Sequence, residues 1–218
     1  MTALSRHPIF ARLYCRVSVA MERGGMTDHR RELLAGLTGQ VIEVGAGNGL
    51  NFAQYPAAVR EVLAVEPEPY LRRVAAQAAR TAPVPVRIAA AMADRLPVAD
   101  ASRDAAVVSL VLCSVPDQAR ALAEIRRVLR PGGQLRFLEH VRAEGRWLAG
   151  VQQTMDATCW PAFSGGCHAA RDTLAAITAA GFAVEQVRRF RFPGQGPAGP
   201  TAAHVVGRAI RPAVTSGG

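Results

Sequence analysis

The stretch QVIEVGAGNG, residues 40–49, organises the chain, because a short apolar strand runs directly into a glycine-rich turn. The β-branched pair in its first half predicts the strand, glycines at 45, 47 and 49 interrupt it, and residues 50–52 predict the start of a helix. Glycine lets backbone approach a ligand closely, and the free N–H groups of a helix start would face that ligand. The stretch therefore predicts a site for part of a nucleotide-like molecule.

Two acidic residues strengthen this interpretation. Glu43 lies inside the strand, where a buried carboxylate is costly unless it has a partner. The next apolar strand, EVLAV at 61–65, ends in Glu66 and Pro67. An acidic residue roughly 20 positions after a glycine turn, at the end of the second strand, commonly binds ribose hydroxyls. The three features together are far more specific than the glycine turn alone.

The segment EVGAGNG, 43–49, resembles the E/D-x-G-x-G-x-G motif of the class I S-adenosylmethionine-dependent methyltransferases. A dehydrogenase would typically carry G-x-G-x-x-G, and here the residue after Gly49 is Leu50. The resemblance implies an α/β, Rossmann-like fold with a seven-stranded, mostly parallel sheet, helices on both faces and an antiparallel last strand. It also implies S-adenosyl-L-methionine as cofactor and S-adenosyl-L-homocysteine as product.

A chain of 218 residues is expected to form a single α/β domain. Helical spacing at 8–22 and 26–37 predicts two helices before the first strand, which in this family often cover the cofactor. Both tryptophans lie in a segment that does not fit the sheet, where members of this family commonly cap the acceptor. The predicted parts are an N-terminal helical cover at 1–37, a cofactor-binding core at 38–143, an acceptor cap at 144–168, and a C-terminal helix and strands at 169–210.

The cofactor site is assigned from the strand ends and from the resemblance. Residues 92–97 resemble the family's loop that cups the adenine; many members have an acidic residue at the position of Met92, which is instead expected to pack on the adenine face. Residues 109–115 end the fourth strand and should face the methionine half of the cofactor. The predicted cofactor-binding residues are Glu43, Gly45, Ala46, Gly47, Gly49, Asn51, Glu66, Pro67, Met92, Ala93, Ser109 and Leu110.

The C-terminal half is similar to the alkyl-thiol S-methyltransferases in the stretches LVLCSV (110–115), EIRRVLRPGG (124–133), EHV (139–141), QQ (152–153) and GGCHAARDTL (165–174). The similarity runs from about Arg30 to about Gly207 and implies S-methylation of a small thiol. Two alternatives stay open: an O- or N-methyltransferase of a small natural product or quinone-like metabolite, and a nucleic-acid-directed or non-catalytic member of the fold. The absence of an N-P-P-Y-like stretch after the fourth strand disfavours methylation of base amino groups.

His140 is the candidate catalytic base, because it ends the fifth strand where the acceptor should lie. A structural histidine bonded to the cap is the alternative. A thiol with a pKa of about 8.5 needs only modest deprotonation. Cys159, Cys167 and His168 do not follow a recognised zinc spacing, so no metal is predicted. The predicted substrate-binding residues are Cys113, Ser114, Trp160, Phe163 and His168.

The formal net charge of +9 comes entirely from arginine, since the chain has no lysine. The arginines are scattered, so the charge is interpreted as compositional and nucleic acid is not an expected partner. Four cysteines without a C-x-x-C pair and no apparent signal peptide predict a cytoplasmic protein. Arginines interrupt the first 25 residues, so no membrane anchor is expected. A monomer or homodimer acting on a small molecule is anticipated.

Overall fold

The computed structural model describes residues 8–158, 160–195 and 199–213. Residues 1–7 of the predicted cover, and Cys159, lie outside this range. The strands are β1 Gly39–Val44, β2 Val59–Val65, β3 Val86–Ala89, β4 Arg103–Ser109, β5 Leu129–His140, β6 Ala183–Arg191 and β7 Ala203–Ile210. The helices are α1 Pro8–Met21, α2 Thr27–Leu34, α3 Pro69–Ala79, α4 Gln118–Val128, α5 Arg146–Asp156, α6 Trp160–Phe163 and α7 Thr173–Ala179.

The seven strands form one sheet in the order β3-β2-β1-β4-β5-β7-β6. β1, β2, β3, β4 and β5 pair in parallel, whereas β7 is antiparallel to both β5 and β6. This confirms the predicted, mostly parallel sheet with an antiparallel last strand. The strand order reverses between β1 and β4, and in such sheets a crevice opens beyond the carboxyl ends of the strands at that point.

The centre of the sheet is buried on both faces, which explains the nearly continuous apolar sequences of its strands. On β1, Val41 and Ile42 are completely buried on opposite faces. Ile42 belongs to the apolar cluster that contains Ile125 of α4, whereas Val41 belongs to the cluster that contains Leu34 of α2. The N-terminal helices and α4 therefore cover opposite faces of the same sheet.

The prediction of a helix directly after the glycine turn is wrong. Only one short 3₁₀ turn, Phe52–Gln54, follows the turn, and Tyr55 is already extended at φ −66° and ψ 132°. Pro56 explains this early end, because the residue before a proline is disfavoured from helical geometry. The N–H groups of a helix start are therefore not available at this edge. The N–H groups of Gly45 and Ala46 instead donate to the carbonyl oxygen of Val65, at 2.8 and 3.0 Å.

Two helical segments flank the strands. One is α1 with α2, joined by a π-helical segment at Glu22–Met26 that is kinked at Gly25. The other is α5 with α6, between β5 and α7, within the segment that was predicted to lie outside the sheet. None of the helices in the described ranges is both long and apolar enough to cross a membrane.

Candidate functional site

A cavity of about 460 Å³ opens at the carboxyl edge of the sheet. A depression of about 480 Å³ lies at the opposite, amino edge, near Arg60 and Pro131. We take the carboxyl-edge cavity as the candidate site, because open α/β sheets bind ligands beyond the carboxyl ends of their strands. It is lined by Phe10, Tyr14, Gly45, Gly47, Glu66, Pro67, Glu68, Leu71, Ala91, Met92, Ala93, Asp94, Ser109, Leu110, Val111, Ser114, Val115, Pro116, Asp117, Arg120, Ala121, Gly165 and Gly166.

Glu66, at the end of β2, binds the glycine turn directly. Its Oε2 accepts a hydrogen bond from the N–H of Gly47, and its Oε1 accepts one from the N–H of Glu68, both at 2.9 Å. Burial raises the pKa of Glu66. Each carboxylate oxygen keeps a second lone pair, so the side chain can still accept hydrogen bonds from a ligand in the cavity.

The turn needs glycine because no side chain fits there. Gly45 has φ +71°, and a Cβ on it would lie 2.5 Å from Cγ2 of Val111. Gly47 has φ +56°, and a Cβ on it would lie 3.1 Å from the ring of Tyr14. Both glycines line the cavity, so bare backbone faces the ligand on this side.

Glu43 lies behind the turn rather than in the cavity. Its Oε1 accepts a hydrogen bond from Nδ2 of Asn51 at 2.9 Å, and its Oε2 accepts one from the hydroxyl of Tyr55 at 2.7 Å. Burial raises the pKa of Glu43 to about 7, although both hydrogen bonds oppose the shift. Glu43 and Asn51 therefore support the turn from within the protein.

Arg30 of α2 connects this support to the rest of the site, and the sequence analysis did not identify it. Its Nη1 donates to Oδ1 of Asn51 and to Oγ of Ser109, both at 2.9 Å. Its Nε donates to Oε1 of Glu22 at 2.7 Å. The signal was present in the sequence, because Arg30 shares the buried face of α2 with Leu33 and Leu34, where an arginine needs a polar partner.

The first helix supplies two further cavity residues that the sequence analysis did not name. Phe10 and Tyr14 are four positions apart on α1 and line the cavity together. Burial raises the pKa of Tyr14 to about 12, so its hydroxyl is neutral at physiological pH. The predicted cover thus contributes ring surface to the site.

The opposite side of the cavity is formed by the ends of β2 and β3. Pro67, Met92 and Ala93 line it, close to the carboxylate of Glu66, as does Leu71 at the start of α3. The carboxylate could accept hydrogen bonds from the hydroxyl groups of a ribose, and the apolar residues beside it could pack on a purine ring. Of the other predicted cofactor residues, Gly45, Gly47, Ser109 and Leu110 also line the cavity, whereas Glu43, Ala46, Gly49 and Asn51 do not.

Of the residues predicted to bind the acceptor, only Ser114 lines the cavity. Phe163 is 75% exposed on the surface of the cap. Trp160 is half-buried, and within the described part of the chain its indole nitrogen has no hydrogen-bond partner. Nδ1 of His168 is hydrogen-bonded to the carbonyl oxygen of Gly166 at 2.8 Å. On the cap, Gly165 and Gly166 line the cavity instead.

His140, the predicted base, is buried and is absent from the cavity lining. Its Nε2 lies 2.6 Å from Sγ of Cys167. Burial by itself lowers the pKa of His140, but the hydrogen bond with Cys167 and the charge of Glu139 raise it overall. One donor atom from each of Cys113, His140 and Cys167 falls within 4.8 Å of the others. The structure therefore places His140 in a buried group with two thiols.

Glu139, the residue before His140, fixes the loop that carries Cys113. Its Oε1 accepts hydrogen bonds from the N–H groups of Val111 and Leu112, both at 3.0 Å. Leu110 starts this loop at φ +59°, a conformation that non-glycine residues rarely adopt. The end of β4 is thus held by the end of β5, which positions both the cavity wall and the thiol behind it.

Comparison with known proteins identifies a methyltransferase domain and curated thiol S-methyltransferases as relatives. Residues 42–137 match the model of a methyltransferase domain. The chain is 35% identical over 199 residues to human thiol S-methyltransferase TMT1B, covering 85% of this chain and 80% of that protein. It is 36% identical over 180 residues to human thiol S-methyltransferase TMT1A, covering 77% and 73%.

Solved structures share the fold at low sequence identity. A methyltransferase from Thermotoga maritima superposes with a TM-score of 0.67 at 21% identity, covering 93% of this chain and 98% of that one. A geranyl diphosphate methyltransferase in complex with S-adenosylmethionine superposes with a TM-score of 0.65 at 15% identity, covering 86% and 85%. These likenesses concern the fold alone.

Proposed function

Since the chain belongs to the thiol S-methyltransferase family of S-adenosylmethionine-dependent methyltransferases, we propose that it methylates the sulfur atom of a small, largely apolar thiol. The enzyme class and the cofactor follow from this membership. The assignment to this cavity rests on one observation: the Glu66 carboxylate, the bare glycine turn and apolar walls line the same space. The acceptor is the proposed part.

The residues at the carboxyl edge suit the cofactor in both of its halves. Glu66 would accept hydrogen bonds from the ribose hydroxyls, and Met92 with Leu71 would enclose the adenine. Gly45 and Gly47 would allow the chain of the amino acid half to approach the backbone. When bound, the cofactor supplies a methyl group on a sulfonium centre, which is a good leaving group.

The remaining space in the cavity suits an apolar acceptor. Phe10 and the loop residues Leu110, Val111 and Val115 form apolar walls there. Because the leaving group is already good, the protein mainly has to align the acceptor sulfur with the methyl group and exclude water. α1 and the cap glycines line the cavity and would help to exclude water.

The proposal is tested by incubating the purified protein with isotopically labelled S-adenosylmethionine and a matched panel of short alkyl thiols, alcohols, phenols and amines. Mass spectrometry should detect labelled thioethers and little labelled product from the oxygen and nitrogen compounds. Preferential labelling of a phenol or amine would reject the thiol assignment in favour of an O- or N-methyltransferase. A protein with Glu66→Ala should make less of every product, which serves as the control for turnover at this site.

We further propose that the protein works in the cytoplasm on a freely diffusing substrate. Cys15, Cys113 and Cys167 are free thiols in the structure, which suits a reducing compartment. Fractionation of cells followed by detection of the protein tests this: recovery with the washed membranes would contradict it.

A further inference from the structure

Three donor groups meet behind the wall of the cavity although they come from three separate segments. Cys113 follows β4, His140 ends β5, and Cys167 follows α6. One donor atom of each lies within 4.8 Å of the others, and all three side chains are buried. Nδ1 of His140 is buried and, among the described residues, has no hydrogen-bond partner. Two thiols and an imidazole are donors that Zn²⁺ prefers.

The geometry is close to what a tetrahedral ion needs. With Zn–S near 2.3 Å and Zn–N near 2.0–2.1 Å, sulfur and nitrogen ligands lie roughly 3.5 Å apart, and two sulfur ligands roughly 3.8 Å apart. Nε2 of His140 and Sγ of Cys167 are 2.6 Å apart, so they would separate by about 0.9 Å around an ion.

We propose that Cys113, His140 and Cys167 bind Zn²⁺ and that the fourth coordination position takes the sulfur of the acceptor thiol. The second part rests on the proposed thiol methylation. Three protein ligands with one open position are typical of zinc sites that bind water or substrate, whereas structural zinc sites have four protein ligands.

The site adjoins the cavity through its flanking residues. Ser114 follows Cys113 and lines the cavity, and the two side chains are hydrogen-bonded, with Sγ and Oγ 3.4 Å apart. Gly166 precedes Cys167, and a Cβ on it would lie 3.0 Å from the carbonyl oxygen of Ser114. The residues next to both cysteines in the sequence therefore line the space proposed for the acceptor.

A zinc ion at this place would help to deprotonate the acceptor thiol. Among the described residues that line it, the groups that could accept a thiol proton are carboxylates such as Glu66 and Asp117. Burial raises the pKa of the Glu66 carboxyl, but its two oxygens already accept hydrogen bonds from the N–H groups of Gly47 and Glu68, which hold it against the glycine turn. A zinc ion deprotonates a coordinating thiol outright, so the proton leaves to solvent when the thiol binds. The thiolate sulfur then forms a bond to the methyl carbon, and the bond from that carbon to the sulfonium sulfur breaks with its electron pair staying on the departing thioether.

Metal content tests the site itself. Purified protein dialysed against Zn²⁺ and then against metal-free buffer should retain about one zinc ion per chain. Cys167→Ser and Cys113→Ser should each weaken zinc binding by more than roughly 100-fold, beyond the effect of changing groups that only surround a metal site. Cys15→Ser, which removes a free thiol on α1, is the matched control and should retain the metal. Loss of zinc in all three variants, or in none, would overturn the site.

Folding is checked separately in the same proteins. Calorimetry with S-adenosylhomocysteine should give wild-type affinity for each cysteine variant, because no thiol of the cluster lines the cavity. If a variant fails to fold, the zinc site can still be tested in the wild-type protein with a thiol-reactive dye. Zinc should protect two thiols from the dye; equal reactivity with and without zinc would overturn the site.

The open position has its own test, without the cofactor. In protein loaded with Co²⁺ instead of zinc, a short alkyl thiol should intensify the thiolate-to-cobalt charge-transfer absorption, and the alcohol of the same chain length should not. No spectral response to the thiol would overturn acceptor binding at the metal.

Activity separates the two proposals. If chelator-treated protein methylates thiols at the wild-type rate, the metal role is overturned while the proposed function stands. If the zinc-loaded protein holds the metal and binds thiols but never methylates them, the proposed function fails and the metal site stands.

Discussion

Replacing Glu66 by alanine is the most direct test of how the sheet edge forms the cofactor site. The buried carboxylate accepts hydrogen bonds from the N–H groups of Gly47 and Glu68, both at 2.9 Å. Alanine would leave both donors without a protein partner and would remove the acceptor for the ribose. The substitution therefore tests turn geometry and ligand binding together.

The expected magnitude follows from these contacts. Hydrogen bonds to a charged group contribute about 1.5–3 kcal/mol each, and a buried donor without a partner costs about 1–3 kcal/mol. Since water can enter from the adjoining cavity, the loss of unfolding free energy should be near the lower end, about 2 kcal/mol. Loss of the ribose contact should cost about 1–3 kcal/mol of binding, which raises the Kd by about 5- to 150-fold.

Glu66→Gln sharpens the test, because glutamine has the same shape but only one acceptor oxygen. It can satisfy one of the two backbone N–H groups and must place its own NH₂ against the other. We therefore expect glutamine to recover at most half of the binding energy that alanine loses. If only the size of the side chain mattered, glutamine would bind like the wild type.

Calorimetry with S-adenosylhomocysteine, together with urea unfolding, gives both quantities. Glu61→Ala is the matched control, because Glu61 lies near the amino end of the same strand and pairs with Arg103 away from the cavity. It should leave the Kd unchanged. Wild-type affinity in Glu66→Ala would refute the assignment of the ribose to this carboxylate.

Three further predictions concern stability. Arg30→Ala should lower the free energy of unfolding by about 3 kcal/mol, because it leaves the mostly buried carboxylate of Glu22 without its ion-pair partner. Arg31→Ala removes an exposed ion pair and should change that free energy by less than about 0.5 kcal/mol. Urea unfolding measures both values, and equal effects would contradict the buried network. Burial lowers the pKa of His204 to about 4, so the unfolded chain binds a proton that the folded chain excludes, and stability should fall by up to about 3 kcal/mol as pH drops from about 6.5 to about 4. Unfolding at stepped pH should show that His204→Gln lacks this component, and an unchanged pH profile would reject it. Gly165→Ala places a Cβ 2.4 Å from the ring of Phe10 and should lower the stability by about 2 kcal/mol, measured by thermal unfolding. Adding Phe10→Ala to this variant should restore part of the lost stability. No recovery in the double variant would reject the contact.

The sequence predicted the parts of the site that lie close together along the chain. The glycine turn follows β1 directly, and Glu66 follows β2, the next strand along the chain. The parallel pairing of β1 with β2 follows from their apolar patterns. Positive φ at Gly45 and Gly47 is a local need that glycine reveals directly. The helix expected after the turn failed for an equally local reason, because the effect of Pro56 was not weighed.

Contacts between distant segments could not be read in this way. Arg30 reaches Ser109 across 79 positions, and His140 reaches Cys167 across 27. No periodicity relates such residues, because their proximity depends on strand order and on how the helical segments fold back over the sheet. For the same reason the spacing of cysteine and histidine along the chain did not reveal that Cys113, His140 and Cys167 lie close together.

The sequence alone therefore determined the fold class and the family, since apolar periodicity and glycine turns act over a few residues. The tertiary structure decided which side chains face the cavity. It placed Tyr14 beside Gly47 and Phe10 beside Gly165, and it brought His140 together with two thiols behind the cavity wall. The physical reason is that burial and donor geometry arise only when separate segments pack together. Packing therefore decides whether a polar side chain faces solvent, stabilises a neighbouring segment or faces a bound ligand.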